Sequence, residues 1–188
     1  MSDTRNTIIE TTSRLLEEQG YHATGLSQIV EESGAPRGSL YYYFPEGKDE
    51  ISEVALRQTG REVAANIQAA MEKAESASAG VRALVATIGE RMEASGYRVG
   101  GPITTVALES APDKSRLNRA CREIYDEWRR TFRARIVKDG ADEEQADRLA
   151  GTILSSIEGA MVLARTYQSR QPLRQAAESL EELIDSAV

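Results

Sequence analysis

Residues 34–48, GAPRGSLYYYFPEGK, hold one short helical segment between two breaks, and they limit the folds open to this chain. Gly34 supplies a tight turn. A helix begins three residues later near Arg37 and runs only to Phe44, because the residue before Pro45 avoids helical geometry. Upstream, Thr24 can cap another short helix, with Leu26, Ile29 and Val30 facing inward and Gly34 at its end. Two short helices joined by a tight glycine-containing turn describe a helix-turn-helix, whose second helix enters the DNA major groove.

The rest of the chain also reads as helix. No stretch alternates apolar and polar residues for long, and Pro and Gly gather at a few punctuation points. A first helix from about Asp3, as N-cap, to Gln19 turns Ile8, Ile9, Thr12, Leu15 and Leu16 inward, and Gly20 sits where a left-handed residue belongs. A long fourth helix spans about 46–74. Further helices are expected near 81–94 (after the small-residue stretch ESASAG), 103–109, 117–139, 142–168 and 173–187, with Asp113 or Ser115 capping the one that follows SAPDKS. The expectation is an all-α chain of about nine helices. Residues 1–48 form a compact helix-turn-helix domain and residues 49–188 a separate bundle.

On a wheel of 100° per residue, Leu40 and Phe44 share the inward side of the third helix. Tyr42 lies opposite, with Gly38 and Ser39 beside it, and Tyr41 and Tyr43 take the flanks. A flanking tyrosine can donate its hydroxyl proton to a phosphate oxygen without adding charge. Tyr42 is placed for base edges or a thymine methyl. Gly38 lets the backbone come close, and Arg37 can reach a phosphate or a guanine. Lys48, with the free N–H groups of the fourth helix, suits a further phosphate. Thr24 and Ser27 could hold the other strand. The same tyrosine run could instead serve as a half-buried packing collar.

Charge weighs against a nucleic-acid partner. The chain carries a net −7. Residues 1–50 hold four basic side chains (Arg5, Arg14, Arg37, Lys48) and nine acidic ones, so 4 − 9 = −5. A DNA-binding role then requires Arg5, Arg37 and Lys48 to gather on one face while Glu17, Glu18, Glu31 and Glu32 point away. Phosphate contacts would be few and mostly neutral, with a shallow salt dependence and reliance on two linked half-sites.

The stretches TGLSQIVEESGAPRGSLYYYFPEGKDEI and LLEEQGYHATG resemble the DNA-binding region of the TetR family of bacterial transcription regulators. The family pattern falls on Thr24, Ile29, Val30, Gly34, Gly38, Leu40, Tyr41, Phe44 and Lys48, and Tyr43 stands where many members carry histidine. PEGKDE, GGPITTVALES and IEGAMVLAR resemble the LmrA/YxaF-like branch, which includes repressors of lincomycin-resistance and flavonoid-responsive genes. The resemblance implies a homodimer that binds a palindromic DNA operator through its N-terminal domains. A small effector bound in the C-terminal domain would lower DNA affinity, with repression the commoner habit.

The last two long helices carry more apolar surface than one core face needs. Leu149, Ile153, Ile157, Ala160 and Ala164 make one stripe of the first, and Leu154, Met161 and Val162 another. Ala176, Ala177, Leu180, Leu183, Ile184 and Ala187 cover one side of the second. Two such helices from each subunit would make an isologous four-helix interface, while a monomer would bury both stripes internally. Met92, Ile103, Val106, Tyr125, Trp128, Phe132 and Met161 are candidate pocket linings, each also a plausible core residue. Glu158, with no basic residue three or four positions away, faces the dimer interface, solvent, or a polar or cationic group in the pocket. Glu109 raises the same question.

An enzyme finds little support. His22 is the single histidine and Cys121, on an apolar stripe, the single cysteine. No cluster has metal-ligand spacing, no nucleophile has a paired base, and no glycine-rich phosphate loop occurs. No catalytic residue, metal site or cofactor is expected. One cysteine forms no internal disulfide, no apolar run approaches the roughly 20 residues that span a bilayer, and the N-terminus lacks a secretory pattern. These features fit a cytoplasmic protein. A helix-turn-helix protein whose bundle binds another protein is the remaining alternative, with a solid core as its mark.

Overall fold

A computed structural model describes residues 2–110 and 116–188. Nine helices and no strand occur among the described residues: α1 (Ser2–Ala23), α2 (Leu26–Ser33), α3 (Arg37–Tyr43), α4 (Lys48–Lys73), α5 (Ala77–Ala94), α6 (Thr104–Ser110), α7 (Arg116–Asp139), α8 (Glu143–Tyr167) and α9 (Gln171–Asp185). The caps expected at Asp113 or Ser115 lie outside the described residues.

The chain gathers into two compact units, and the division differs from the sequence boundary at 48/49. One unit holds residues 1–61 and 102–124, and the other holds 62–101 and 125–188. The first extends past residue 48 because later segments pack into it. Ile124 lies so close to Gly60 that a Cβ there would meet its Cγ1 at 2.7 Å. Arg116 donates to Glu53 at 2.7 Å, and Arg57 reaches Glu123 at 2.7 Å. Burial opposes ionisation of Glu53, and hydrogen bonds from Arg57 and Arg116 overcome it, holding the carboxyl below its usual range.

In the first unit the α1 stripe is buried throughout: Ile8, Ile9, Thr12, Leu15 and Leu16. α1 begins at Ser2, so Asp3 stands inside the helix and not at its cap. The helix continues past Gln19 to Ala23, across a break at Gly20 (φ 83°, ψ 178°). This positive φ is one that only glycine adopts without strain. Gly34 is left-handed (φ 64°, ψ 9°) and closes α2 with its N–H on the Glu31 carbonyl. Pro45 ends α3 as expected, with Phe44 at φ −136°, ψ 72°.

In the second unit α5 packs on α9 and α8, and α8 on α9. α5 begins at Ala77, four residues before the expected start, so most of the small-residue stretch is helical. Two acceptors make this possible: Ser76 caps the Ala79 N–H at 3.2 Å, and Asp139 takes the Ala77 N–H at 2.5 Å. Asp142 caps α8 through the Gln145 N–H at 2.9 Å. The main α8 stripe is buried, and so is Met161, whereas Val162 and, on α9, Leu183 remain exposed.

Candidate nucleic-acid interface

α3 is a helix of seven residues anchored by two side chains. Leu40 and Phe44 are buried, as the wheel requires. Tyr42 points outward at 73% exposure and Tyr41 at 45%, while Tyr43 is half-buried. The rings of Tyr42 and Tyr43 meet edge to face at 5.1 Å. Four consecutive aromatic residues therefore split into a buried anchor, a half-buried ring and two solvent-facing phenols. Arg37, Gly38 and Ser27 are exposed and Ser39 is half-buried. A Cβ at Gly38 would meet nothing within 4 Å, so no contact within the chain requires glycine there.

The basic residues occupy both ends of this surface. Arg37 opens α3, and the Arg5 guanidinium lies 5.5 Å over the Phe44 ring at its other end. Arg14 is committed elsewhere, paired with Glu18 at 3.1 Å and with Glu32, so two of the troublesome acids are neutralised within the chain. Glu17 is buried. Lys48 opens α4, with its Nζ 4.1 Å above the Tyr21 ring, and burial eases its pKa below the usual value. Its surroundings are mixed: Glu46 is bound by Arg116, Asp49 accepts from the Tyr21 hydroxyl, and Glu50 takes the Glu46 N–H at 2.9 Å.

Thr24 requires a correction. Its residue type suits a helix cap or a phosphate donor, but it is fully buried and its hydroxyl donates to the Gly20 carbonyl at 2.6 Å. Gly25 is the N-cap residue of α2, without a side-chain hydrogen bond. The break at Gly20 turns the following residues back, and Thr24 locks that turn from within. Its side chain is buried, unlike those of Ser27, Arg37, Tyr41 and Tyr42.

The residues proposed for an effector divide between the units. Ile103 and Val106 lie in the first, whereas Met92, Tyr125, Trp128, Phe132, Glu158 and Met161 lie in the second. Met92, Ile103, Val106, Trp128, Phe132 and Met161 are buried. Tyr125 and Glu158 are half-buried, and the Tyr125 hydroxyl lies 3.4 Å from a Glu158 carboxylate oxygen, with Trp128 edge-on to Tyr125 at 5.5 Å. Glu158 thus faces an aromatic neighbour's hydroxyl within the bundle.

A groove that sequence reasoning missed runs between α5 and α9, about 250 Å³ in volume, lined by Val85, Ala86, Gly89, Leu173 and Ala177 together with Arg82, Arg170, Arg174 and Glu178. The available signal was Gly89, a glycine inside a helix, where a Cβ would meet Arg170 Nε at 3.2 Å. No helix among the described residues is long and apolar enough to cross a membrane.

Comparison with known proteins places this geometry. Residues 8–55 match the family profile of bacterial regulatory proteins, tetR family. Residues 77–179 match the transcriptional regulator LmrA/YxaF-like, C-terminal domain. The HTH-type transcriptional regulator YxaF of Bacillus subtilis is 36% identical over 182 residues, 97% of this chain and 95% of that protein. The HTH-type transcriptional regulator LmrA of the same organism is 30% identical over 182 residues, 97% of each. A TetR transcriptional regulator of Chloroflexus aurantiacus, 26% identical in sequence, superposes with a TM-score of 0.84 over 100% of this chain and 96% of that one. By name these relatives are transcriptional regulators. The chain belongs to the TetR family of transcriptional regulators, in its LmrA/YxaF-like branch.

Proposed function

We propose that this regulator is a cytoplasmic, effector-responsive repressor that binds a palindromic operator as a homodimer. Ser27, Arg37, Gly38, Ser39, Tyr41, Tyr42, Tyr43 and Lys48 form its DNA-facing surface. The observation that carries the reading is the split of the aromatic run: Leu40 and Phe44 hold α3 down while Tyr42 and Tyr41 face solvent. Phenol hydroxyls supply neutral phosphate contacts, which suits a head with a net charge of −5 over residues 1–50.

Dimerisation through α8 and α9 is supported by what the chain leaves uncovered there. From Thr152 to Thr166 the outward side of α8 presents Thr152, Ser155, Gly159, Val162, Leu163 and Thr166, with no charge. A two-fold pair would bury this side and set two α3 helices on half-sites about 34–36 Å apart along one face of the duplex. The effector site is assigned to the bundle around Tyr125, Trp128 and Glu158, with a small lipophilic compound as its class. An effector acts only through its preference for one arrangement of the two heads, and one that misplaces a head by a few ångströms releases the operator.

A mobility-shift assay with DNA upstream of the regulator's own gene tests the DNA arm. A dimer-sized shift supports the reading, and its absence with intact protein overturns it. A thermal-shift screen against lipophilic antibiotics and polyphenols tests the effector arm. A stabilising compound that also releases the DNA supports it, while a flat screen favours a protein partner for the bundle.

A further inference from the structure

The break in α1 is not left to itself. Gly20, Tyr21 and His22 form the approach to α2, and α6 packs against α1 there within the same compact unit. The Glu109 carboxylate, from the last turn of α6, accepts the His22 backbone N–H at 2.9 Å. The fit is close on its other side too. A Cβ at Gly20 would overlap Glu109 Oε1 and meet Thr105 Cγ2 at 3.0 Å, so the missing side chain makes room for this carboxylate.

The same few residues hold the reading surface. Thr24 N–H bonds the Tyr21 carbonyl at 3.2 Å, and the Thr24 hydroxyl bonds the Gly20 carbonyl, fixing the turn that aims α2. The Tyr21 ring lies beneath Lys48 Nζ, and its hydroxyl bonds Asp49 at the start of α4. A shift of residues 20–22 therefore moves both the entry to α2 and the seat of Lys48.

We propose that Glu109 is a positioning residue for DNA binding: by holding the His22 amide in the space that Gly20 leaves, it ties α6 to the helix-turn-helix and fixes the DNA-competent orientation of α2 and Lys48. The hydrogen bond's reach matters, not the carboxylate's charge. Glu109 also favours the charged form of Lys48, behind burial and Asp49 in its effect, and the two roles separate by substitution. Glu109→Gln keeps an acceptor at the same reach and removes the charge. Glu109→Asp keeps the charge and withdraws the acceptor by one methylene. Glu109→Ala removes both.

The test uses full-length protein and a DNA site selected from a random pool by the wild type. Operator affinity, amide exchange at His22 and the melting temperature are measured for each variant. Glu109→Ala and Glu109→Asp are expected to weaken operator binding roughly five- to tenfold, the scale of one lost hydrogen bond, and to speed His22 exchange by a similar factor. Glu109→Gln is expected to stay within about twofold of wild type in both readouts. The proposal is overturned if Glu109→Gln weakens binding as much as Glu109→Ala, or if Glu109→Ala and Glu109→Asp bind the operator like wild type while His22 exchanges faster. If Glu109→Ala does not fold, the other two variants decide alone, and equal operator affinity for both overturns the proposal.

Discussion

α3 and α8 each turn outward a face that the chain leaves uncovered, and the two faces are made of different atoms. On α3 the exposed side is aromatic with hydroxyl tips: Tyr42 and Tyr41, beside Arg37 and Gly38. On α8 it is aliphatic and small: Val162 at 48% and Leu163 at 47% exposure, with Ser155 and Gly159 one turn and more upstream. Each phenol keeps a donor for a polar partner, so the α3 face loses little by standing in water. On the α8 face the Thr152, Ser155 and Thr166 hydroxyls already donate to carbonyls of their own helix, and covering the face returns roughly 25 cal/mol for each square ångström of apolar surface removed from water. Gly151 and Gly159 sharpen the contrast. Both sit inside α8 with open space around an added Cβ, although glycine in a helix interior costs about 0.5–1 kcal/mol relative to alanine. Equal exposure therefore does not mean equal partners. A duplex suits the first face, and a second copy of the chain suits the second.

The comparison breaks most decisively on α8. Leu163→Glu places a charge in the proposed subunit contact without touching the head. Sedimentation is expected to show a monomer, and operator affinity is expected to fall by about a hundredfold or more, the scale on which linked sites exceed single ones. A dimer that survives this substitution would assign the aliphatic face to another partner. Next in size is Tyr42→Ala, with an expected loss of about a hundredfold in a dimer, since roughly 1–3 kcal/mol is at stake in each of two copies. The melting temperature should barely move, because Tyr42 covers no core. A collar role would reverse that pattern, lowering the melting temperature and sparing DNA affinity. Gly38→Ala probes the same face more gently. With nothing within 4 Å of the new methyl, the fold is expected to gain up to about 1 kcal/mol from helix propensity. Operator affinity should fall about tenfold if the α3 backbone comes close to DNA, as one unfavourable contact per copy would cause.

Much of this was legible in the sequence because periodicity and punctuation are local. The α3 wheel follows from Leu40, Phe44 and Pro45 alone, and the buried α7 run from Leu117 to Ile136 follows from steps of three and four. The failures lie where a contact in space, not periodicity, decides, and two of them involve residues far along the chain. The start of α5 was placed late because Asp139, 62 residues away, supplies the acceptor for Ala77 N–H. Thr24 looked like a surface donor because a break at Gly20, which the sequence does mark, does not by itself show that the Thr24 hydroxyl turns back onto the Gly20 carbonyl. For Glu109 the sequence leaves interface, solvent and pocket open, and its carboxylate instead serves a backbone amide 87 residues earlier. Trp128 and Phe132 are buried, which suits a pocket lining and an ordinary core residue equally. Whether a buried ring faces a neighbour or an open space depends on the packing of several helices, which no single stripe encodes.

The smallest expected effect lies at alkaline pH, in the contacts that seat Lys48. Burial, then the Asp49 hydrogen bond, pushes the Tyr21 phenol up to about 12. Below its ordinary value near 10 the phenol is protonated in both folded and unfolded chains, so stability does not depend on it. Between about pH 10 and 12 the unfolded chain releases this proton first, and stability falls as pH rises. Cys121 acts in the same direction from slightly lower pH, since burial pushes its thiol up to about 11 from 9.0. Lys48 opposes both: burial lowers its pKa, so the folded chain loses that proton first and gains stability as pH rises toward 10.5. Tyr21→Phe separates these contributions, because the ring under Lys48 remains while the ionisable hydroxyl goes. Chemical denaturation at pH 9 and pH 11 should show the wild type losing about 1 kcal/mol more than Tyr21→Phe, a discounted figure for a phenol partly screened by water. Equal losses in the two proteins would mean that neither burial nor the Asp49 bond holds the Tyr21 proton in the folded chain.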